Sequence, residues 1–505
     1  MSDQDIHPDE YSKLRSICKY YIDSYNALYQ LKSDKEEEIN SIYKMIKTEL
    51  IDSRKHLPQN IIQDILNIIP YNNRYTKSYL SLAKLVSDDY HVQDVYNVQP
   101  ISNFLFYKEY GIKLCKSYDF DKNKFKNIDI DNENTIYRAI MLNDKETFIT
   151  FTETDEFDKN QKLQSSLYPN SKKEYSLLEL CCYYGSVDCF KLLITKFHSE
   201  ITQTCLQLSF LGRNAEIMSE CLKYQEPNED CMIYAIASHN IDFVTFLMNE
   251  YKHIRINLFD CCYYNNLESF LIYFDQTNDV KNCFICSPLF NIPYLCKYFL
   301  SHGANINENG IFGKAALHIA ANNNSKEIVE LIISHGANIN IKDKNGRITL
   351  HYSAINNSKD TAEVLISHGA NINEKDKDGD TALHFAAVNN HREIAELLIS
   401  HGANINEKDK DGDTALHFAA VNNHKEIAEL LISHGAIIDE KDKCEKTALH
   451  FAAFNNFKEI VELLISYGAN INEKDLFGQT VLHTAANNNY KEIAEVLLSH
   501  GANTM

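Results

Sequence analysis

From residue 303 onward the chain returns to the same residues every 33 positions. Leu-His recurs at Leu317-His318, Leu350-His351, Leu383-His384, Leu416-His417, Leu449-His450 and Leu482-His483. Gly303, Gly336, Gly369, Gly402, Gly435, Gly468 and Gly501 keep the same step. A fixed period of this length marks one supersecondary unit that cannot cover its own apolar faces and must stack on its neighbours.

The unit from Asp376 to Lys408 shows how the local chemistry works. Asp378-Gly379 supplies a tight turn, because glycine tolerates a positive φ. Thr381 is placed to cap a first helix, its oxygen accepting from an otherwise unpaired backbone N–H. Ala386 and Ala387 are small where two helices must approach. Ile394, Leu397 and Leu398 give a second helix one apolar stripe, and Gly402 is placed to end it in a left-handed residue. Six units of the pattern D-x-x-G-x-T-x-L-H-x-A-A, over residues 304–505, resemble the ankyrin repeat. The resemblance implies an all-α solenoid with short β-hairpin fingers. The departures are local. Ala382, Ala415 and Ala448 stand where that family often has proline, Glu445 replaces the turn glycine, and Ala315 and Ile348 replace the capping threonine. The stop at Thr504-Met505 predicts fraying of the last unit.

Helix-pair echoes continue upstream at 177–197, 205–222, 231–248, 258–274 and 283–300. Val244, Phe270 and Cys296 are equivalent and 26 residues apart, seven fewer than the regular step, which predicts pairs that have lost the finger. Nearer the start, Leu14, Ile17, Tyr21, Leu28 and Leu31 fit one helical stripe and Ile39, Ile42, Ile46 and Leu50 another. The expected organisation is a helical head at 1–120, a linker at 121–135, degenerate helix pairs at 136–303 and six regular units at 304–505. This order is similar to large ankyrin families of parasitic protists, in which a helical domain of unknown function precedes the repeats; the resemblance implies no catalytic activity.

A formal charge of −20, from 50 basic and 70 acidic residues, disfavours nucleic acid as a partner. The opening MSDQDIHPDEYSKLRS lacks a secretory signal's apolar core, and no run approaches the ~18 apolar residues of a membrane span. The 14 cysteines, 13 of them before residue 300, fit free thiols buried as small hydrophobes, hence cytoplasmic or nuclear residence. The histidine ladder invites zinc. Stacked helices stand about 8–10 Å apart, however, and zinc needs ligands at about 2.0–2.1 Å, so each imidazole is expected to bond the turn of its own or the adjacent unit. Cys283-x-x-Cys286 has no second pair at zinc spacing. No nucleophile, phosphate-loop or metalloprotease motif appears, so neither enzyme activity nor a cofactor is expected.

Function is therefore expected to be protein binding by a monomeric scaffold, along a concave face of first helices and fingertips. The first helices offer Ile355, Val388, Val421 and Phe454, followed by Asn389, Asn422 and Asn455; the fingers offer Asp378, Asp380, Asp411, Asp413, Lys446, Phe477 and Gln479. Units 377–409 and 410–442 differ at three positions only and present nearly the same surface twice. A second reading comes from Leu57, Pro58, Ile61, Ile65 and Leu66, whose spacing resembles the opening of an F-box and implies docking on a Skp1-like adaptor of a ubiquitin ligase. An amphipathic core helix opened by proline gives the same pattern, and the chain has no tryptophan, which the second half of an F-box usually carries.

Overall fold

The structure, a computed structural model, describes residues 8–53, 56–115, 120, 125–130, 132–310 and 313–503. The first seven residues, part of the 121–135 linker and Thr504-Met505 lie outside the described residues. The chain divides into two units, Met1–Asn278 and Asp279–Met505.

In the first unit the head contains α1 (Pro8–Ile17), α2 (Lys19–Tyr29), α3 (Glu36–Met45, prolonged by a π-helical stretch), α4 (Pro58–Ile68), α5 (Thr76–Asp89) and α6 (Pro100–Tyr110). Leu14, Tyr21, Leu28 and Leu31 are buried as their spacing predicts. Ile17 is exposed, because the helix breaks at Cys18 and the stripe changes phase. Helix pairs follow: α7 (Ile136–Leu142) with α8 (Lys145–Thr152), α9 (Leu177–Tyr184) with α10 (Val187–Phe197), α11 (Gln203–Leu211) with α12 (Ala215–Cys221), α13 (Glu229–Ala237) with α14 (Ile241–Glu250), and α15 (Leu258–Tyr263) with α16 (Leu267–Thr277). The first helices stack in chain order. A hairpin of β1 (Lys162–Gln164) and β2 (Glu174–Ser176) leads into α9, so that pair keeps a finger although the later ones have none.

The head docks along the turns of several pairs. Tyr21 Oη donates to Asn265 Oδ1 (2.9 Å), His239 bonds Asn26 Oδ1 (2.8 Å), Tyr183 Oη donates to the Pro70 carbonyl (2.8 Å) and Tyr184 Oη to Asn73 Oδ1 (2.8 Å). Asp64 of α4 accepts from Tyr25 Oη at 2.5 Å, and burial pushes its carboxyl up to about 6.

In the second unit, Val280–Cys286 and Pro293–Ser301 form one degenerate pair that packs on the first regular unit. Six regular pairs follow, from Ala316–Asn322 with Lys326–Ser334 to Val481–Asn487 with Lys491–Ser499. Ala386, Ala387, Ile394 and Leu398 are each 0% exposed, whereas Leu397, placed on the same stripe by its spacing, is half-buried at its edge. The fold is thus the all-α ankyrin solenoid. Its fingers are hydrogen-bonded turns: Asp376 N–H donates to the Asp380 carbonyl (2.9 Å), while Asp376 Oδ1 accepts from the N–H groups of Asp378 and Asp380. Lys410 N–H then reaches the Asp378 carbonyl of the preceding finger at 2.8 Å. At the opposite end of the units, Asn404 N–H donates to Asn373 Oδ1 (2.8 Å), which accounts for the recurrent Asn-Ile-Asn wording.

The histidine is the third fastening. His384 Nδ1 accepts the Thr381 N–H at 2.9 Å, and its Nε2 lies 3.1 Å from the Glu407 carbonyl near the end of the same unit. An Nδ1 that accepts a backbone N–H is unprotonated, so Nε2 carries the hydrogen and donates. The Nδ1 bond recurs at His318, His351, His417 and His450, and there Nε2 lies 3.2–3.4 Å from the carbonyl of Arg347, Asp380, Lys446 or Gln479, each in the following unit. Thr381 does not cap its helix as its sequence position suggests. Its hydroxyl lies 3.0 Å from His384 Nδ1, and the ring itself satisfies the orphan N–H. For this reason Ala315 and Ile348 can replace threonine without loss of the cap: their N–H groups reach His318 and His351 at 3.0 Å.

Gly379 has φ +89°, and a Cβ there would meet Lys410 N at 2.7 Å. Glu445 takes the equivalent place with φ +56°. A side chain in this left-handed region costs about 1–2 kcal/mol, only partly offset by the rigidity it lends the unfolded chain. Glu445→Gly is expected to raise stability by about 0.5–1 kcal/mol in urea unfolding; a lower midpoint would show that the finger absorbs no strain.

Candidate partner-binding surface

Each finger leads straight into its first helix, so finger and helix residues share one surface. Lys446 shows this directly: its Nζ lies 5.9 Å from the Phe451 ring centroid and 6.0 Å from that of Phe454. The expected residues divide by environment. Phe454 is 60% and Phe477 78% exposed, joined by Leu476 at 59%. Ile355, Val388 and Val421 are half-buried, so they offer edges of the face and no projecting anchor. Asn389, Asn422 and Asn455 each turn their amide back onto a carbonyl of their own helix end, at 2.9 Å. Asp378 and Asp411 are exposed at the tips, their carbonyls tied to the next finger. Gln479 is exposed beside Phe477.

Asp380 and Asp413 differ from the other carboxylates. Each has a buried Oδ1 with no hydrogen-bond partner. Burial, then the neighbouring carboxylates Asp376 and Asp409, pushes Asp380 up to about 6. Burial, then Asp409 and Asp442, pushes Asp413 up to about 7. Earlier units place a cation here. Lys314 lies 4.4 Å over the Tyr352 ring, and Arg347 lies 4.7 Å over Phe385 while its Nε reaches Asp376 Oδ2 at 3.0 Å. Phe418 stands to Asp380 in the 33-residue register as Phe385 stands to Arg347. The middle of the stack therefore presents rings and carboxylates at positions where its neighbours hold a cation.

The aromatic row Tyr352, Phe385, Phe418 and Phe451 was not singled out by sequence pattern. Each ring meets the histidine of the preceding unit edge-on, with centroids 5.4–5.7 Å apart. The signal was present, since each follows a ladder histidine directly. Among the F-box-like residues, Ile61, Ile65 and Leu66 are no more than 1% exposed and belong to the core that α4 shares with α5; Leu57 and Pro58 are half-buried. All fourteen cysteines are free thiols, buried except Cys115 and Cys444. No described helix is long and apolar enough to cross a membrane.

The family described as Ankyrin repeats (3 copies) matches residues 284–376, 370–442 and 436–505. A domain of unknown function, DUF3447, matches residues 197–273, the stretch from the end of α10 to α16. No curated protein matches the chain. Residues 284–505 are thus ankyrin repeats, modules that generally mediate protein–protein interactions.

The raised carboxyls fix a pH response. Asp380 and Asp413 stay protonated in the folded chain up to about 6 and about 7, whereas in the unfolded chain they ionise near 3.8. Their favourable contribution is complete below the unfolded value and is lost as pH rises through the folded values. Asp380→Asn with Asp413→Asn should therefore raise the thermal midpoint at pH 8 and leave it nearly unchanged at pH 4; an equal shift at both would contradict the assignment.

Proposed function

We propose that this chain is a non-catalytic scaffold that holds partner proteins on the concave face formed by the fingers and first helices of its ankyrin units. One observation carries the reading: Phe454, Leu476 and Phe477 are large apolar side chains left exposed on two successive units, framed by Lys446 and Gln479. Aromatic anchors with a polar rim are the composition of protein interfaces. Asp380 and Asp413 beside Phe418 would take a cationic side chain of the partner, replacing the internal cation of the earlier units. Ile355, Val388, Val421, Asn389, Asn422, Asn455, Asp378 and Asp411 would complete the contact surface.

The proposed organisation is a helical head over 1–120, a linker over 121–135, degenerate pairs over 136–303 and six binding units over 304–505, acting as a monomer in the cytoplasm or nucleus. The order of these parts supports the resemblance to parasitic-protist ankyrin families. The F-box-like reading gains less support, because Ile61, Ile65 and Leu66 would have to leave the core to reach a Skp1-like adaptor.

The test is capture of proteins by the full chain against the double variant Phe454→Asp, Phe477→Asp. Both sites are exposed, so the variant should keep its helicity and melting temperature and lose the captured partners. Retention of the same partners at the same yield would refute the site.

A further inference from the structure

The first unit holds a group that binding by the ankyrin face does not use. Arg213 sits in the turn between α11 and α12 with φ +56°. The equivalent turn residue is Asn143, Gly185, His239, Asn265 or Asn291 in other degenerate pairs, and Asn324 through Asn489 in the regular ones, all with positive φ. Asparagine, glycine and histidine accept this conformation more readily than arginine, so the placement carries strain with no local benefit. His239, one pair along, has both ring nitrogens within 2.8 Å of a polar partner, Asn26 Oδ1 and the Tyr264 carbonyl. Arg213 forms no hydrogen bond or ion pair with the described residues, and its Nη1 is enclosed without a partner.

Arg213 lines a cavity of about 150 Å³ between the head and the turns of two successive helix pairs. Arg74 and Lys32 line it as well, and no carboxylate among the described residues does. Arg74 donates through Nη2 to the Tyr184 carbonyl (2.9 Å), but its Nε is also buried and unpartnered. Arginine does not lose its proton in a protein, so two guanidinium groups with enclosed, unpartnered donors and a lysine line a space with no carboxylate among the described residues. A water needs only about 10–15 Å³ of such volume, so the space admits an anion of several atoms. Through Lys32, Arg74 and Tyr75 the cavity adjoins a second of about 720 Å³, where six cations face three carboxylates. The Lys108–Asp129 pair cancels one of each, and Asp34 also accepts from Ser78, which leaves five cations facing two carboxylates. This is a basic recess in a chain of formal charge −20.

We propose that this recess binds a small phosphate monoester, its phosphoryl group seated between Arg213 and Arg74 and its organic part in the larger cavity. Two guanidinium groups match a dianionic phosphoryl in charge and in their forked geometry, where a single carboxylate would neutralise only one. The larger volume lies within the roughly 300–1,000 Å³ of small-molecule sites.

Calorimetric titration of the full chain tests the proposal, with inorganic phosphate and glucose 6-phosphate as probes at low ionic strength. Saturable binding is expected, tighter for the monoester by tenfold or more. Arg213→Asn installs the residue that most other turns carry, so it should fold with an unchanged or higher melting temperature and weaken both probes at least tenfold. Absence of saturable binding to the parent chain, or equal binding by Arg213→Asn, would overturn the site. Equal affinity for the two probes would overturn the organic half and assign the seat to free phosphate.

Discussion

The imidazole that joins one unit to the next is the interaction on which the ankyrin stack depends. Each ring closes two debts of the backbone at once. It accepts the N–H that opens its own first helix, and its Nε2 faces a carbonyl of the following unit, as His351 faces Asp380 and His417 faces Lys446. A buried polar group left without such a partner costs about 1–3 kcal/mol, so a lone unit carries a penalty that only stacking removes. The 33-residue period follows from this requirement together with the apolar stripe of the second helices. Position, tautomer and register are therefore one constraint.

Because the ring and not the threonine is the cap, the residue before each first helix is free to vary, as Ala315 and Ile348 show. The finger is equally tolerant in sequence and strict in geometry. The Asp carboxylate and the inter-finger hydrogen bond recur even where Glu445 occupies the glycine position. This division leaves the residue that leads from finger to helix under no structural obligation. Lys314, Arg347, Asp380, Asp413, Lys446 and Gln479 occupy it in turn. Variation confined to a surface position on a fixed scaffold is how such a stack acquires one partner and not another, and the buried, unpartnered oxygens of Asp380 and Asp413 show that stability is given up there.

The regular units were legible in the sequence because periodicity reports contacts that repeat. The fastening role of histidine, the αL glycines and the exposed Phe454 and Phe477 could all be placed from spacing. The head was legible only as helices. Its docking rests on single long-range pairs, such as Tyr21 with Asn265 and Asn26 with His239, more than 200 residues apart and without repetition. Arg213 carries no sequence signal for a related reason: its meaning lies in what surrounds it, three cations around a space with no carboxylate among the described residues. The valines at 388 and 421 show the opposite error. Their recurrence pointed to projecting anchors, but the fold leaves both half-buried.

The most direct test of the stacking account is long-range proton–nitrogen NMR of the histidine side chains across a pH titration. His318, His351, His384, His417 and His450 should appear as neutral rings protonated on Nε2, and burial should hold them below the ordinary value, His318 at about 4. Rings that titrate together near 6.5, or that carry the hydrogen on Nδ1, would contradict the bridge and the stack derived from it.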